Sequence, residues 1–260
     1  MLAKIVLYVF VILIANTLGA ISGMGGGVII KPALQLFRMD PAITINFYSS
    51  VAVLVMSISS TYKQVKAHNK INAKTAIWIG LGSILGGILG DSSFKYVYYL
   101  LGDSKSVAIQ MILVIITLVF SLYVSSGKVK TYHLSGNLIM FITGVALGLI
   151  STFLGIGGGP INTACFMLLF STSIREATIY SIVTIFFSQA SKITQALMMH
   201  SVPSLEVSLI IAIMITAIVG GWLGATISNR VSQKSIMYMY RGMIIFVLIL
   251  DLGNLVTSMI

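Results

Sequence analysis

The chain has 260 residues, of which 57% are hydrophobic and only 8% charged, and its mean hydropathy is +1.03. An ordinary soluble domain carries about a quarter charged residues, so a water-soluble globule is excluded. The net charge of +10 has no soluble surface on which to meet nucleic acid; it is read as a record of membrane topology.

Apolar runs long enough to cross a bilayer, about 17 to 25 residues, recur along the whole length. They predict an all-α polytopic membrane protein with lipid as its surroundings. Taken in chain order, the segments fall at about 5–21, 28–37, 42–62, 75–100 and 107–124, then 134–153, 160–170, 177–199, 206–228 and 235–258. The first run has one lysine ahead of it and superficially resembles a signal peptide. Its counterpart before the second glycine loop argues for a retained membrane helix. The second and seventh segments are short. At 1.5 Å per residue they reach about half of the hydrocarbon core, and such irregular backbone survives only inside the bundle or against a water-filled cavity.

Each short segment follows a glycine loop: Ser22-Gly23-Met24-Gly25-Gly26-Gly27 first, Leu154-Gly155-Ile156-Gly157-Gly158-Gly159 second. At an offset of 132 residues, 11 of the 47 positions from Ser22 to His68 are identical. The matches include Tyr48 with Tyr180, Ser49 with Ser181 and His68 with His200. This predicts a duplicated chain, residues 1–130 and 131–260, each half with four long membrane helices and one short half-helix preceded by a glycine loop.

Lysine and arginine counts choose between parallel and inverted halves. If all ten segments count as crossings, nine basic residues lie on one side (Lys63, Lys66, Lys70, Lys74, Lys128, Lys130, Arg175, Arg230 and Lys234) against four on the other (Lys4, Arg38, Lys95 and Lys105). If the short segments only re-enter, the split is seven to six. The positive-inside rule therefore favours inverted-topology repeats with the N-terminus outside. Gly82, Gly86 and Gly90 in the fourth segment correspond to Gly220 and Gly224 in the ninth. Such small-residue faces allow close helix packing within the chain or in a homodimer.

A run of glycines ahead of a helix lets successive backbone N–H groups point into one concavity, towards which the helix aims its positive dipole end. The guest such a site suits is an anion. Gly25, Gly26, Gly27, Gly157, Gly158 and Gly159 are therefore candidate binding residues. Ser181, Thr184, Ser188, Lys192 and Gln195 form a helical stripe on the eighth segment, with Asn46, Ser49, Ser57, Ser60 and Gln64 as its looser counterpart. From these stripes Ser49, Ser181, Lys192 and Gln195 are expected to complete the site, with Lys192 as the attracting cation. Lys31, one turn into the first short helix, is expected to snorkel. His68 and His200 are candidates for proton coupling. Asp251 and Arg241 lie too far apart on one helix to pair directly.

No nucleophile with a base, HExxH, phosphate loop or metal-spaced Cys/His cluster is present. The expectation is transport without covalent chemistry, cofactor or metal.

The twice-used motif Gly-Met/Ile-Gly-Gly-Gly opening a short helix resembles the sulfite exporter TauE/SafE family of membrane permeases, and the likeness covers essentially the whole chain. Pro32 fits the family pattern; Ala164 and the early Pro160 depart from it in the second half. The resemblance implies a multi-pass inner-membrane transporter, in a bacterium or archaeon, of small sulfur-containing anions such as sulfite, thiosulfate or sulfoacetate. A passive anion channel and a non-transporting scaffold are the alternatives.

Overall fold

The computed structural model describes residues 2–37, 39–66, 72–200, 202–203 and 205–259. Among these the order is α1 (Leu2–Ser22), α2 (Gly27–Phe37), α3 (Ala42–Lys66), α4 (Ala73–Ser125), α5 (Asn137–Phe153), α6 (Pro160–Phe170), α7 (Ile174–Met198), α8 (Val207–Arg230) and α9 (Gln233–Met259). Helices α1, α3, α4, α8 and α9 are long and apolar enough to span a membrane. The protein is an all-helical, multi-pass membrane protein.

Two expected boundaries differ. The fourth and fifth segments run on as the 53-residue α4, broken only at Gly102, whose φ of 77° and ψ of 178° leave the helix. A positive φ of this kind is open to glycine at little cost, so one residue makes the turn between two crossings. The sixth segment starts later than read, at Asn137, and gives a helix of 17 residues. Helix α7 is long, at 25 residues, but rich in buried polar groups. Such a helix belongs inside a bundle rather than against lipid.

Local signals set the ends. Asn72 caps α4 by accepting from the N–H groups of Lys74 and Thr75. Ser173 and Glu176 form a reciprocal capping box on α7. Pro160 occupies the first turn of α6, where its missing N–H costs nothing.

The glycine stripes pack helices within the chain. A Cβ on Gly82, Gly86 or Gly90 of α4 would run into the α5 backbone at Phe141, Val145 and Leu149 respectively. One on Gly220 or Gly224 of α8 would meet α1 at Asn16 or Thr17. Backbone-to-backbone approach supplies the dispersion contact that lipid-like surfaces alone do not. Both stripes are thus covered by the chain's own helices.

The contacts also fix helix directions. Lys4 meets Glu206 and Ser228 donates to the Ile21 carbonyl, so α1 and α8 run the same way. Tyr48 accepts from the Glu206 N–H and Gly221 sits against Met56, so α3 runs with them. The part of α4 before Gly102, α5 and α7 form the second parallel set. Gly82 packs at Phe141 and Gly90 at Leu149, while Gly80 packs at Phe187 and Gly87 at Ser188. The sets oppose each other. Asn46 and Phe47, near the start of α3, share a cavity with Lys192 and Ala196, near the end of α7. Val53 and Ile185, equivalent by the 132-residue offset, meet at the glycine loops in between. The short α2 leads back to the end where α1 began, since Asp40 beyond it pairs with Lys4 at 3.0 Å.

Candidate functional site

Both glycine loops lie at the crossing of α3 and α7, back to back. The Gly159 N–H donates to the Met24 carbonyl at 2.7 Å. A Cβ on Gly27 would strike the Ile156 carbonyl, and one on Gly158 would enter the Ile185 side chain. Gly25 approaches Ile185, Val53 and the Gly157 carbonyl, and Gly26 faces the Asn16 side chain. The six glycines thus share one buried centre, where absent side chains let the loops touch. The Gly26 carbonyl accepts from Ile29 and Ile30, starting α2.

The polar stripes flank this centre. The Ser49 hydroxyl is buried beside Gly27 and has no hydrogen-bond partner among the described residues. Ser181 Oγ donates to the Gly23 carbonyl at 2.5 Å, and Thr163 donates to the same oxygen, so Ser181 ties α7 to the first loop. Asn46 packs on Gly155, and neither its oxygen nor its nitrogen has a partner among the described residues.

Asn46 also lines a small cavity of about 20 Å³, with Ile43, Phe47, Asp91, Phe94, Lys95, Lys192, Ala196 and Pro203. Lys192 is 5% exposed and Asp91 2%. Lys192 Nζ stands 3.8 Å from Asp91 Oδ1 and has no hydrogen-bond acceptor among the described residues. Lys95 Nζ holds the other carboxylate oxygen at 2.8 Å. A buried polar atom left unpaired costs about 1–3 kcal/mol, so Asn46 and Lys192 bring to this cavity hydrogen-bonding capacity that no described residue fills. Gln195 lies a turn further along α7, where its amide donates to Ser92 of α4 at 3.0 Å. It braces the helix pair that carries Lys192 and Asp91.

The same end of the bundle is tied by a second network. Lys4 bridges Asp40 and Glu206, Tyr8 donates to Asp40, and the Tyr8 and Tyr48 rings meet edge to face. The opposite end carries the counterpart of the Tyr48 contact: Tyr180 accepts from the Asn72 N–H.

Lys31 does not snorkel. It is 3% exposed and donates to Gln110 Oε1 and the Leu154 carbonyl, while Gln110 donates to the Phe153 carbonyl. Together they cap the C-terminal end of α5, where a cation meets the negative end of the helix dipole. Asp251 lies within electrostatic reach of Lys31, and Arg241 donates to the Ser125 carbonyl. His200 is exposed at the end of α7 with φ 50°; His68 lies outside the described residues.

Sequence reasoning did not single out Asp91 and Lys95. Their i,i+4 spacing in an apolar segment, directly after a glycine stripe, was the available signal, because a charge at membrane depth marks a site by default.

This helical bundle, with an internal crossing of two glycine loops and buried charges beside it, is the build of a membrane permease. The family model for the sulfite exporter TauE/SafE matches residues 8–250, and the chain belongs to that family. It is 27% identical over 262 residues to a probable membrane transporter protein, YunE, of Bacillus subtilis (strain 168), covering 90% of this chain and 92% of that one. No solved structure matches.

Proposed function

We propose that this transporter is a secondary carrier, working as an exporter, for small sulfur-containing anions such as sulfite, thiosulfate or organosulfonates like sulfoacetate. The observation that carries the reading is the cavity between α3, α4 and α7, where a buried lysine and a buried asparagine amide both line the space and neither has a hydrogen-bond partner among the described residues. Ser49 and the glycine loops continue the polar path inward from Asn46. Hydroxyl and amide groups can hold an oxyanion without trapping it. In this reading Lys192 attracts the anion, and the loops let α3 and α7 change their crossing as the site opens to alternate sides.

The halves are read as inverted repeats. Opposed α3 and α7, and the gathering of Lys4 and Lys95 at one end with Arg175 and Arg230 at the other, support this. The nine-residue side then faces the cytoplasm. Single cysteines at Ser104 and Ser232, in the repeat-equivalent turns after Gly102 and after α8, with Cys165 replaced, should label from opposite faces of intact cells. Labelling from one face contradicts the inversion.

Purified protein in liposomes tests the transport reading. Labelled sulfite, thiosulfate or sulfoacetate should equilibrate faster than in empty vesicles, with saturation and counterflow. Failure of all three while another solute passes overturns the substrate class; flux without saturation or counterflow indicates a channel.

A further inference from the structure

We propose that Asp91 sets the charge class of the anion taken by the Lys192 cavity, favouring monoanions over dianions. The proposal rests on the reading of that cavity as the anion site.

The argument is one of charge balance at close range. Two cations and one carboxylate converge there: Lys95 at 2.8 Å and Lys192 at 3.8 Å from the two oxygens of Asp91. All three side chains line the cavity, and their formal sum is +1. Among the described residues, the packed elements bring no further charge to the cavity lining: α3 presents Asn46 and Phe47, the segment before α8 presents Pro203, and α5 meets α4 through Leu149 and Thr152. Lys31 is within electrostatic reach of Lys192, but it is engaged by Gln110 and the Leu154 carbonyl and has Asp251 as its own counter-charge. Lys4 is held by Asp40 and Glu206.

A monoanion beside Lys192 neutralises the +1 cluster. A dianion leaves a net negative charge inside the bundle, with Asp91 repelling both of its charges. At a few ångströms and an effective dielectric near 20, each such pairing changes affinity by about tenfold or more. Asp91 also occupies the position an incoming anion would take on Lys192, so it acts as an internal competitor that offsets one of the two positive charges in the empty site, from 3.8 Å.

The test is binding of methanesulfonate, a monoanion, and thiosulfate, a dianion, to purified protein by calorimetry. Wild type should bind methanesulfonate more tightly. Asp91→Asn should reverse the order by about tenfold or more, while Asp91→Glu, which keeps the charge, should retain it. An unchanged ratio in folded Asp91→Asn, or an equal shift in Asp91→Glu, overturns the proposal. Should Asp91→Asn fail to fold, Lys95→Gln serves, because its side chain is partly exposed. It should weaken thiosulfate more than methanesulfonate, and equal weakening counts against the proposal. A wild type that binds neither anion overturns the anion reading of the cavity itself.

Discussion

Helices α3 and α7 occupy equivalent places in the two halves, and they differ where charge is concerned. Lys192 of α7 corresponds to Ser60 of α3. With the offset that brings Gly86 onto Gly220, Asp91 corresponds to Ala225 and Lys95 to Asn229. The backbone scaffold is therefore shared: Val53 meets Ile185 at the loops, and Tyr48 and Tyr180 each accept from the residue that precedes a long helix of the other half, Glu206 before α8 and Asn72 before α4. Among the described residues, the Asp91–Lys95–Lys192 cluster has no counterpart at the other end. On the proposed reading, the two halves are similar frames and the binding chemistry belongs to one of them. Ser60 is fully buried and needs no counter-ion; Lys192 needs Asp91.

Four substitutions test this contrast between the halves. The largest effect is expected at the shared frame. Gly158→Val places a branched side chain at a φ of 144° and against Ile185, so strain and overpacking should together cost about 3 kcal/mol or more. Loss of monodisperse protein in detergent would report it, and normal recovery with wild-type thermal stability would argue that the loops are not in contact. Next is Ser60→Lys, which puts the cation in the half that has Ala225 where Asp91 would be needed. It should destabilise by about 2.5–3.5 kcal/mol, the insertion cost of an unpaired lysine; a thermal midpoint equal to wild type would remove the distinction between the halves. Ser181→Ala deletes the hydrogen bond to Gly23 and should cost about 1 kcal/mol, read as a small drop in thermal midpoint. Smallest is Gly242→Ala on α9, where nothing lies within 4 Å of the added methyl. A gain of up to about 1 kcal/mol from helix propensity is expected, and a loss would place an unseen neighbour there.

Much of the frame could be read without coordinates because it is written in local pattern. The glycine loops, the short helices after them and the glycine stripes are contiguous motifs, and all fall at the expected places. The break between the fourth and fifth segments reads as lying between residues 100 and 107 and falls at Gly102; what the pattern does not show is that a single glycine makes it, with helix on both sides. The site was only half legible. Lys192 stood out as an isolated charge on a polar stripe, but Asp91 lies about a hundred residues away on α4 and meets it through tertiary packing alone. Lys31 was misjudged for the same reason: its acceptors, Gln110 and the Leu154 carbonyl, come from distant segments, so an apparent candidate for snorkelling is a buried helix cap.

The most direct test of an anion site at the charged end of α7 is the affinity of purified Lys192→Gln for sulfite, compared with wild type by calorimetry on protein of matched thermal stability. Loss of the buried cation should weaken binding by about tenfold or more. Wild-type affinity in a folded Lys192→Gln protein would contradict the account and move the site away from the cavity that Lys192 shares with Asn46 and Asp91.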